Sequence, residues 1–304
     1  MMKKILITGG AGFIASWISD LYIKKGYQVI VVDNLSHRTS DPLNKKAKLY
    51  KADINNLNHL KEIFAKEKPQ IVNHHAAIAS VAGSSENIFK TNVLGMINLL
   101  KICTEFYIEK FIFASSAAVY GDSNKLPVKE SYLKNPISEY GISKLAGENL
   151  LNFFKSKIPC IQIFRYANVY GPRQDWRGEG GAVAIFAKNL IDQKPSVIFG
   201  DGKQTRDFVH VSDIAKANLL ALKTNNNFIL NLSSNKEITI NKLFELLKNQ
   251  LNSQVKAVHI KRRLIDINKS KLDNNRAEII LKWKPEVSFK TGLKNTICYF
   301  SDKK

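Results

Sequence analysis

Ile5-Leu6-Ile7-Thr8-Gly9-Gly10-Ala11-Gly12-Phe13-Ile14-Ala15 joins a β-branched run, a cluster of glycines and the start of a helical pattern, in that order. Gly9 permits a tight turn, and Gly12 lets backbone N–H groups approach a pyrophosphate at the positive end of the helix that follows. Ala15 takes the third place of the Gly-x-x-Gly-x-x-Gly spacing and still allows helix and strand to pack closely. A glycine loop alone is weak evidence. Asp33 strengthens it, because it ends the next strand-like run, where a carboxylate accepts both hydroxyls of an adenosine ribose and repels a 2′-phosphate. The expected cofactor is therefore NAD rather than NADP.

Around this motif the chain alternates short β-branched runs with helix-period segments, which predicts βαβ units feeding a parallel sheet. Strands are expected at 4–8, 28–33, 48–51, 71–74, 110–115 and 161–164, and helices at 13–25, 57–66, 87–106 and 138–156. The alternation loosens after Arg165, where a Gly- and Arg-rich stretch precedes helices near 183–193, after Ser212, and at 238–251, 277–281 and 289–299. The expected division is a dinucleotide-binding domain over 1–165, with 207–232 returning to it, and a smaller lobe from 166–206 and 233–304. With no linker or repeat between them, the two are expected to fold as one unit.

The 304 residues are 44% hydrophobic and include 3 Cys, a composition that excludes collagen-like, disordered and disulfide-stapled chains. No apolar stretch approaches the roughly 20 residues of a membrane-spanning helix. Only four residues separate Lys4 from Gly9, too few for the apolar region of a secretory signal. The odd cysteine count suits a reducing compartment, so a cytoplasmic location is expected. Lys and Arg exceed Asp and Glu by 46 to 26, a net charge of +20. The excess is spread along a lysine- and asparagine-rich chain, which reads as a solvated surface in preference to a nucleic-acid site.

A second constellation is Tyr140-Gly141-Ile142-Ser143-Lys144, on a helix beginning near Ser138. Tyr140 and Lys144 are one turn apart on one face. An adjacent ammonium, together with a cationic nicotinamide, favours phenolate and is expected to bring Tyr140 toward the working range of a base. Upstream, the strand ending in Ser115-Ser116 delivers small hydroxyls into the crevice where such sheets bind ligands, and Ser116 is placed to share a substrate proton with Tyr140. His74 and His75 adjoin on a strand and cannot both face one metal, and no cluster has ligand spacing, so no metal is expected. Trp283 is read as packing, and Arg173 and Arg177 as either solvated or in contact with an anion or partner.

These motifs, with His74-His75-Ala76-Ala77, Arg165-Tyr166-Ala167-Asn168 and Arg206-Asp207-Phe208-Val209-His210, resemble the extended short-chain dehydrogenase/reductases along nearly the whole chain. Within them the chain is similar to NAD-dependent nucleotide-sugar epimerases of the UDP-glucose 4-epimerase type. The resemblance implies a Rossmann-type doubly wound parallel sheet and a smaller α/β C-terminal substrate-binding lobe. It also implies that Gly9, Gly12, Phe13, Ile14, Asp33, Asn34, Asp53, Ile54, Ala76, Ala77, Asn92, Ser115, Tyr140, Lys144 and Tyr166 border the cofactor. Ser116, Tyr140 and Lys144 would be catalytic, and Ser116, Tyr140, Asn168, Arg206, Arg263 and Ser270 would meet the UDP-sugar. Tyr140 would remove the proton of the C4 hydroxyl while the C4 hydride passes to NAD, and the 4-keto sugar would turn over and be reduced on its other face. A homodimer through helices 87–106 and 138–156 is likewise implied.

Two departures from the family pattern bear on the substrate. Ala117 and Ala118 stand where related dehydratases carry an acidic pair, which argues against 4,6-dehydration and decarboxylation. Ile265 replaces the usual Gly after Arg263, and Ser270 falls where some epimerases have a tyrosine, leaving volume for a 2-acetamido group. UDP-glucose and UDP-galactose, with the N-acetyl forms as an extension, are the expected substrates. A UDP-hexuronate 4-epimerase, an NAD-dependent 4-keto-sugar reductase and a non-catalytic dinucleotide- or nucleic-acid-binding relative are the alternatives.

Overall fold

The computed structural model describes residues 3–36, 41, 43–79, 85–177, 181–263 and 266–302. Its strands are β1 (Lys4–Thr8), β2 (Gln28–Asp33), β3 (Lys48–Lys51), β4 (Ile71–His74), β5 (Lys110–Ser116), β6 (Cys160–Tyr166), β7 (Asn168–Tyr170), β8 (Ser196–Phe199), β9 (Thr205–Arg206), β10 (Phe208–His210), β11 (Phe228–Leu232), β12 (Ile238–Thr239) and β13 (Ala257–Ile260). Its helices are α1 (Phe13–Lys24), α2 (Leu57–Glu67), α3 (Ser85–Phe89), α4 (Gly95–Glu105), α5 (Glu139–Phe154), α6 (Ala182–Ile191), α7 (Val211–Ala221), α8 (Ile240–Gln250), α9 (Asn275–Leu281) and α10 (Phe289–Ser301).

Seven parallel strands form the central sheet in the order β11-β6-β5-β4-β1-β2-β3. The inner strands are nearly continuous apolar runs, as a sheet covered on both faces requires. Alternate β1 residues enter different cores: Ile5 and Ile7 pack on the side of Ile18 and Ile214, Leu6 on the side of Phe64 and Leu99. The order reverses at the β1–β4 boundary, so the crevice for a ligand opens beyond the carboxyl ends of these two strands, where Gly9 and His75 stand. A third core, including Phe186, Leu243, Phe244 and Leu293, joins α6, α8 and α10 in the C-terminal lobe.

Three expected elements differ from the structure. Segment 87–106 is α3, a π-helical turn at Lys90–Leu94, and α4. The widened turn carries Asn92, whose amide oxygen accepts from Ile78 N–H at 2.8 Å and whose nitrogen donates to Ile78 O at 3.0 Å and Ser143 Oγ at 2.9 Å. Residues 238–251 begin as strand, because Ile238 and Thr239 pair antiparallel with Arg206 and Thr205. Thr239 then caps α8 by accepting from Lys242 N–H. Strand β6 extends from Cys160 to Tyr166, a residue or two beyond its expected ends, following the register of β5 and β11.

Candidate active site

The glycine loop folds as its composition requires. Gly9 has φ +67°, and a Cβ there would lie 2.6 Å from the backbone nitrogen of Ala76, so neither the conformation nor the space admits a side chain. Gly12 begins α1, whose first turn holds no acidic residue. The positive end of the helix therefore faces the cleft uncompensated. Asp33, at the end of β2, is 9% exposed and accepts from Ala11 N–H at 3.0 Å and Leu35 N–H at 2.7 Å, which fixes the carboxylate at the rim.

These groups line one cleft of about 140 Å³ together with Asn34, Asp53, Ile54, Ala76, Ala77 and His75. The narrow glycine cradle, the bare helix terminus and the ribose-facing carboxylate fit a dinucleotide pyrophosphate and adenosine. Phe13 and Ile14 form the first turn of α1. The other residues expected around the cofactor lie deeper. Ser115 Oγ donates to Glu148 at 2.6 Å, and Tyr166 is buried against His75 and Asn218. Asn92 ties Ile78 to Ser143 as described above.

Beyond the cleft, β5 ends at Ser116, which caps a 3₁₀ turn at Ala117–Tyr120 by accepting from Ala118 N–H at 3.1 Å. Ser138 caps α5 by accepting from Gly141 N–H at 3.1 Å, placing Tyr140 in the first turn. Gly141 makes the approach possible, since a Cβ there would sit 2.6 Å from Ala118 O. The result brings the Ser116 hydroxyl near enough to the Tyr140 phenol to oppose the upward shift that burial imposes on it. One turn on, Lys144 is 4% exposed, donates to Ala114 O at 2.7 Å and lies 5.7 Å from the Tyr140 ring centroid.

Burial pushes Tyr140 up to about 12, with the neighbouring Ser116 hydroxyl only partly opposing it, and burial brings Lys144 down to about 7. Loss of hydration is the largest influence on Tyr140 and the one that moves Lys144. Ala117 and Ala118 leave no carboxylate in this turn. Among the described residues no group of His, Cys, Asp and Glu gathers at metal-binding distance.

A second cleft, of about 530 Å³, is lined by Asn168, Arg206 and Arg263 together with Phe199, Gln204 and Asp266. Arg206 donates to Thr205 O at 2.8 Å and Ile267 O at 2.9 Å. Arg263 pairs with Asp266 and lies 4.3 Å over the Phe199 ring. Ser270 is buried beside Thr205 and is not among the lining residues. Ile265 lies outside the described residues. Arg173 is paired within the chain, with Asp20 at 2.7 Å and Asp41 at 3.1 Å, while the largely exposed Arg177 pairs with nearby Asp175. Trp283 packs as expected, 1% exposed and donating to Asp213 O at 2.8 Å.

Sequence reading missed the layer beneath the site. Glu148, one turn beyond Lys144, is held by Arg165 in a two-point pair at 2.6 and 2.9 Å. Arg165 also donates to Tyr120 at 2.7 Å. The signal was present as the fourth residue after Lys144 on an apolar helix face, where an isolated Glu requires a buried partner.

The reversed parallel sheet, the glycine cradle with Asp33, and the Ser116–Tyr140–Lys144 cluster define a dinucleotide-dependent enzyme of the short-chain dehydrogenase/reductase class. The chain belongs to the NAD dependent epimerase/dehydratase family, whose model matches residues 5–232. Among solved structures it is similar to the UDP-glucose 4-epimerase of Thermotoga maritima with UDP-glucose, at 41% identity and TM-score 0.95, covering 99% of each chain. It is similar also to a UDP-N-acetylglucosamine 4-epimerase of Methanobrevibacter ruminantium in complex with UDP-N-acetylmuramic acid, at 32% identity and TM-score 0.93, covering 100% of this chain and 99% of that one. The UDP-glucose 4-epimerase of Mycolicibacterium smegmatis is 33% identical over 312 residues, 99% of each chain.

Proposed function

We propose that the protein interconverts the C4 epimers of a UDP-hexose, glucose and galactose first and their N-acetyl forms by extension, with NAD held throughout the cycle. The observation that carries this reading is the Ser116 hydroxyl near the Tyr140 phenol, with Lys144 one turn below. Tyr166 bonds to His75 of the cofactor cleft, and Asn168, two residues on, lines the second cleft. Tyr140 acts electrostatically on Tyr166, which supports placing the catalytic hydroxyls at the seam between the two.

When bound, NAD supplies a reversible store for the C4 hydride. The chain's own residues do the rest. Tyr140 takes the proton of the C4 hydroxyl and returns it, and Ser116 shares that proton. The Ala114 carbonyl fixes the Lys144 amine near the Tyr140 ring, where it would hold the nicotinamide ribose. Asn168, Arg206 and Arg263 hold the diphosphate and its surroundings, with guanidinium groups suited to paired phosphate oxygens. A cleft of about 530 Å³ leaves a flat 4-keto sugar room to present either face.

The proposed division assigns 1–165 and 207–232 to cofactor binding, and 166–206 with 233–304 to the nucleotide sugar. Strand β11 pairing with β6 supports the return of 207–232 to the first unit. A homodimer through segments 87–106 and 138–156 is the proposed assembly, supported by exposed Leu94 in the first and exposed Ile142 and Phe153 in the second. No helix among the described residues is long and apolar enough to cross a membrane, and the cytoplasm is the proposed location.

Incubation with UDP-glucose, UDP-galactose, UDP-N-acetylglucosamine and UDP-glucuronate, with stereoisomers resolved, tests the reading. C4 interconversion without net change in NADH absorbance is expected. Stoichiometric NADH consumption would assign a 4-keto-sugar reductase instead. Turnover of UDP-glucuronate alone would assign a hexuronate epimerase.

A further inference from the structure

The turn that Ser116 caps and the wall of the second cleft meet at Asp122 and Asn268. Asn268 donates from its backbone N–H to Asp122 Oδ1 at 2.9 Å, and from its side-chain nitrogen to the other carboxylate oxygen. Arg262 donates to the Asn268 side-chain oxygen at 2.6 Å, which fixes the amide with its nitrogen toward Asp122. A carboxylate held at both oxygens makes a charge-assisted contact with a defined geometry.

Each partner belongs to a well-anchored segment. Asp122 follows the 3₁₀ turn at Ala117–Tyr120, one residue beyond Gly121, whose φ is +66° and where a Cβ would collide with Asn135 O. The Tyr120 hydroxyl, in that turn, is fixed between Asn231 and Arg165 at 2.7 Å each. On the other side, Thr205 N–H donates to Asn268 O at 2.9 Å and Arg206 donates to Ile267 O at 2.9 Å. Asp266, two residues before Asn268, lines the second cleft with Arg206 and Arg263. Burial lowers the proton affinity of Arg206, and the charges of Asp266 and Asp122 both oppose that, so Asp122 stands within electrostatic reach of the cleft's guanidinium. The two segments continue side by side, with Val128 N–H donating to Lys271 O at 2.8 Å and Val128 O accepting from Asp273 N–H at 2.9 Å. Backbone bonds tie the far end of this seam, and the Asp122–Asn268 pair ties the end beside the cleft.

We propose that Asp122 and Asn268 are positioning residues that set the separation between the diphosphate-holding wall of the second cleft and the catalytic hydroxyls. The assignment rests on the UDP-sugar reading above. A diphosphate held by Arg206 and Arg263 carries its sugar only as close to Ser116 and Tyr140 as that wall stands. The clasp joins the wall to the Ser116 turn, so it governs where C4 comes to rest while leaving the anchoring groups themselves unchanged. Turnover and nucleotide affinity therefore separate when the clasp is broken.

The test compares full-length, NAD-loaded wild type with Asn268→Ala, Asn268→Asp and the reciprocal double variant Asp122→Asn, Asn268→Asp, reading kcat and KM for UDP-galactose, the dissociation constant of UDP and NAD content. Asn268→Ala removes the side-chain donor without changing charge. Its kcat is expected to fall about tenfold, short of the roughly 10²-fold cost of a 1 Å misplacement because the far end of the seam stays tied. KM, UDP affinity and NAD content are expected to stay at wild-type levels, both residues being exposed. Asn268→Asp sets two carboxylates face to face and is expected to lose more turnover than Asn268→Ala. The reciprocal variant restores one carboxylate and one amide across the contact, and recovery of turnover toward wild type is expected. An Asn268→Ala variant with wild-type kcat, UDP affinity that falls in step with kcat, or a reciprocal variant no faster than Asn268→Asp would overturn the proposal. Should Asn268→Asp fail to fold, Asn268→Ala decides alone. A wild-type protein that epimerises no UDP-sugar would overturn the epimerase reading and this assignment with it, whereas epimerisation indifferent to the clasp would overturn this assignment only.

Discussion

Lys144 donates to the carbonyl of Ala114 at 2.7 Å, which ties the helix that carries Tyr140 to the strand that delivers Ser116 two residues later. The amine sits 5.0 Å over the Phe113 ring and is nearly sealed from water. Its ammonium is therefore held in place where it is poorly solvated.

That burial makes stability depend on pH. Lys144 falls from an ordinary value near 10.5 to about 7 in the folded protein. Below pH 7 both folded and unfolded states carry the proton, and folding bears the full cost of burying the charge. Between about 7 and 10.5 the unfolded state binds more protons, so stability contributed at this position rises with pH. Thermal unfolding of the cofactor-free protein, compared with Lys144→Met, is expected to show the wild type gaining on the variant from pH 6.5 toward pH 9.5. A constant difference would contradict the assignment.

Glu148→Ala would leave Arg165 charged and unpaired at 1% exposure. Removing one partner of a buried pair costs about 3–5 kcal/mol. The loss should appear in chemical denaturation as a lower midpoint with unchanged slope. Glu148→Gln, which keeps an acceptor for Ser115 but removes the charge, is expected to recover only part of it.

Gly141→Ala is expected to act on rate more than on folding. The new methyl would meet Ala118 O at 2.6 Å and the Pro136 Cβ at 2.9 Å, and the first of these is backbone that cannot swing aside. Separation of α5 from the Ser116 turn follows. A misplacement of about 1 Å in a reacting constellation costs on the order of 10²-fold in turnover. Steady-state kinetics should show kcat falling while NAD content is unchanged.

Much of this architecture is legible from residue order. The starts and ends of β1, β2 and β4 follow the β-branched runs, because both faces of an inner parallel strand are covered and apolarity alone marks them. The glycine loop, Asp33 and the Tyr140–Lys144 turn are local patterns, so their spacing shows. What is not legible depends on contacts far apart in the chain. The π turn at Lys90–Leu94 answers to Ile78 and Ser143, and Arg165 is neutralised by Glu148. Arg173 reads as an exposed loop cation until Asp20 and Asp41 are brought beside it. The direction of the Tyr140 shift likewise reflects how much water the folded chain removes, which spacing does not encode.

Turnover of UDP-galactose by Tyr140→Phe, with bound NAD quantified in the same sample, tests the central claim most directly. Loss of the phenol oxygen should lower turnover by about 10²–10⁴-fold, the span of a missing general acid–base. NAD content and melting temperature should stay at wild-type levels. A variant that keeps turnover within a factor of two of wild type while holding NAD would show that another group moves the proton, and would contradict the mechanism.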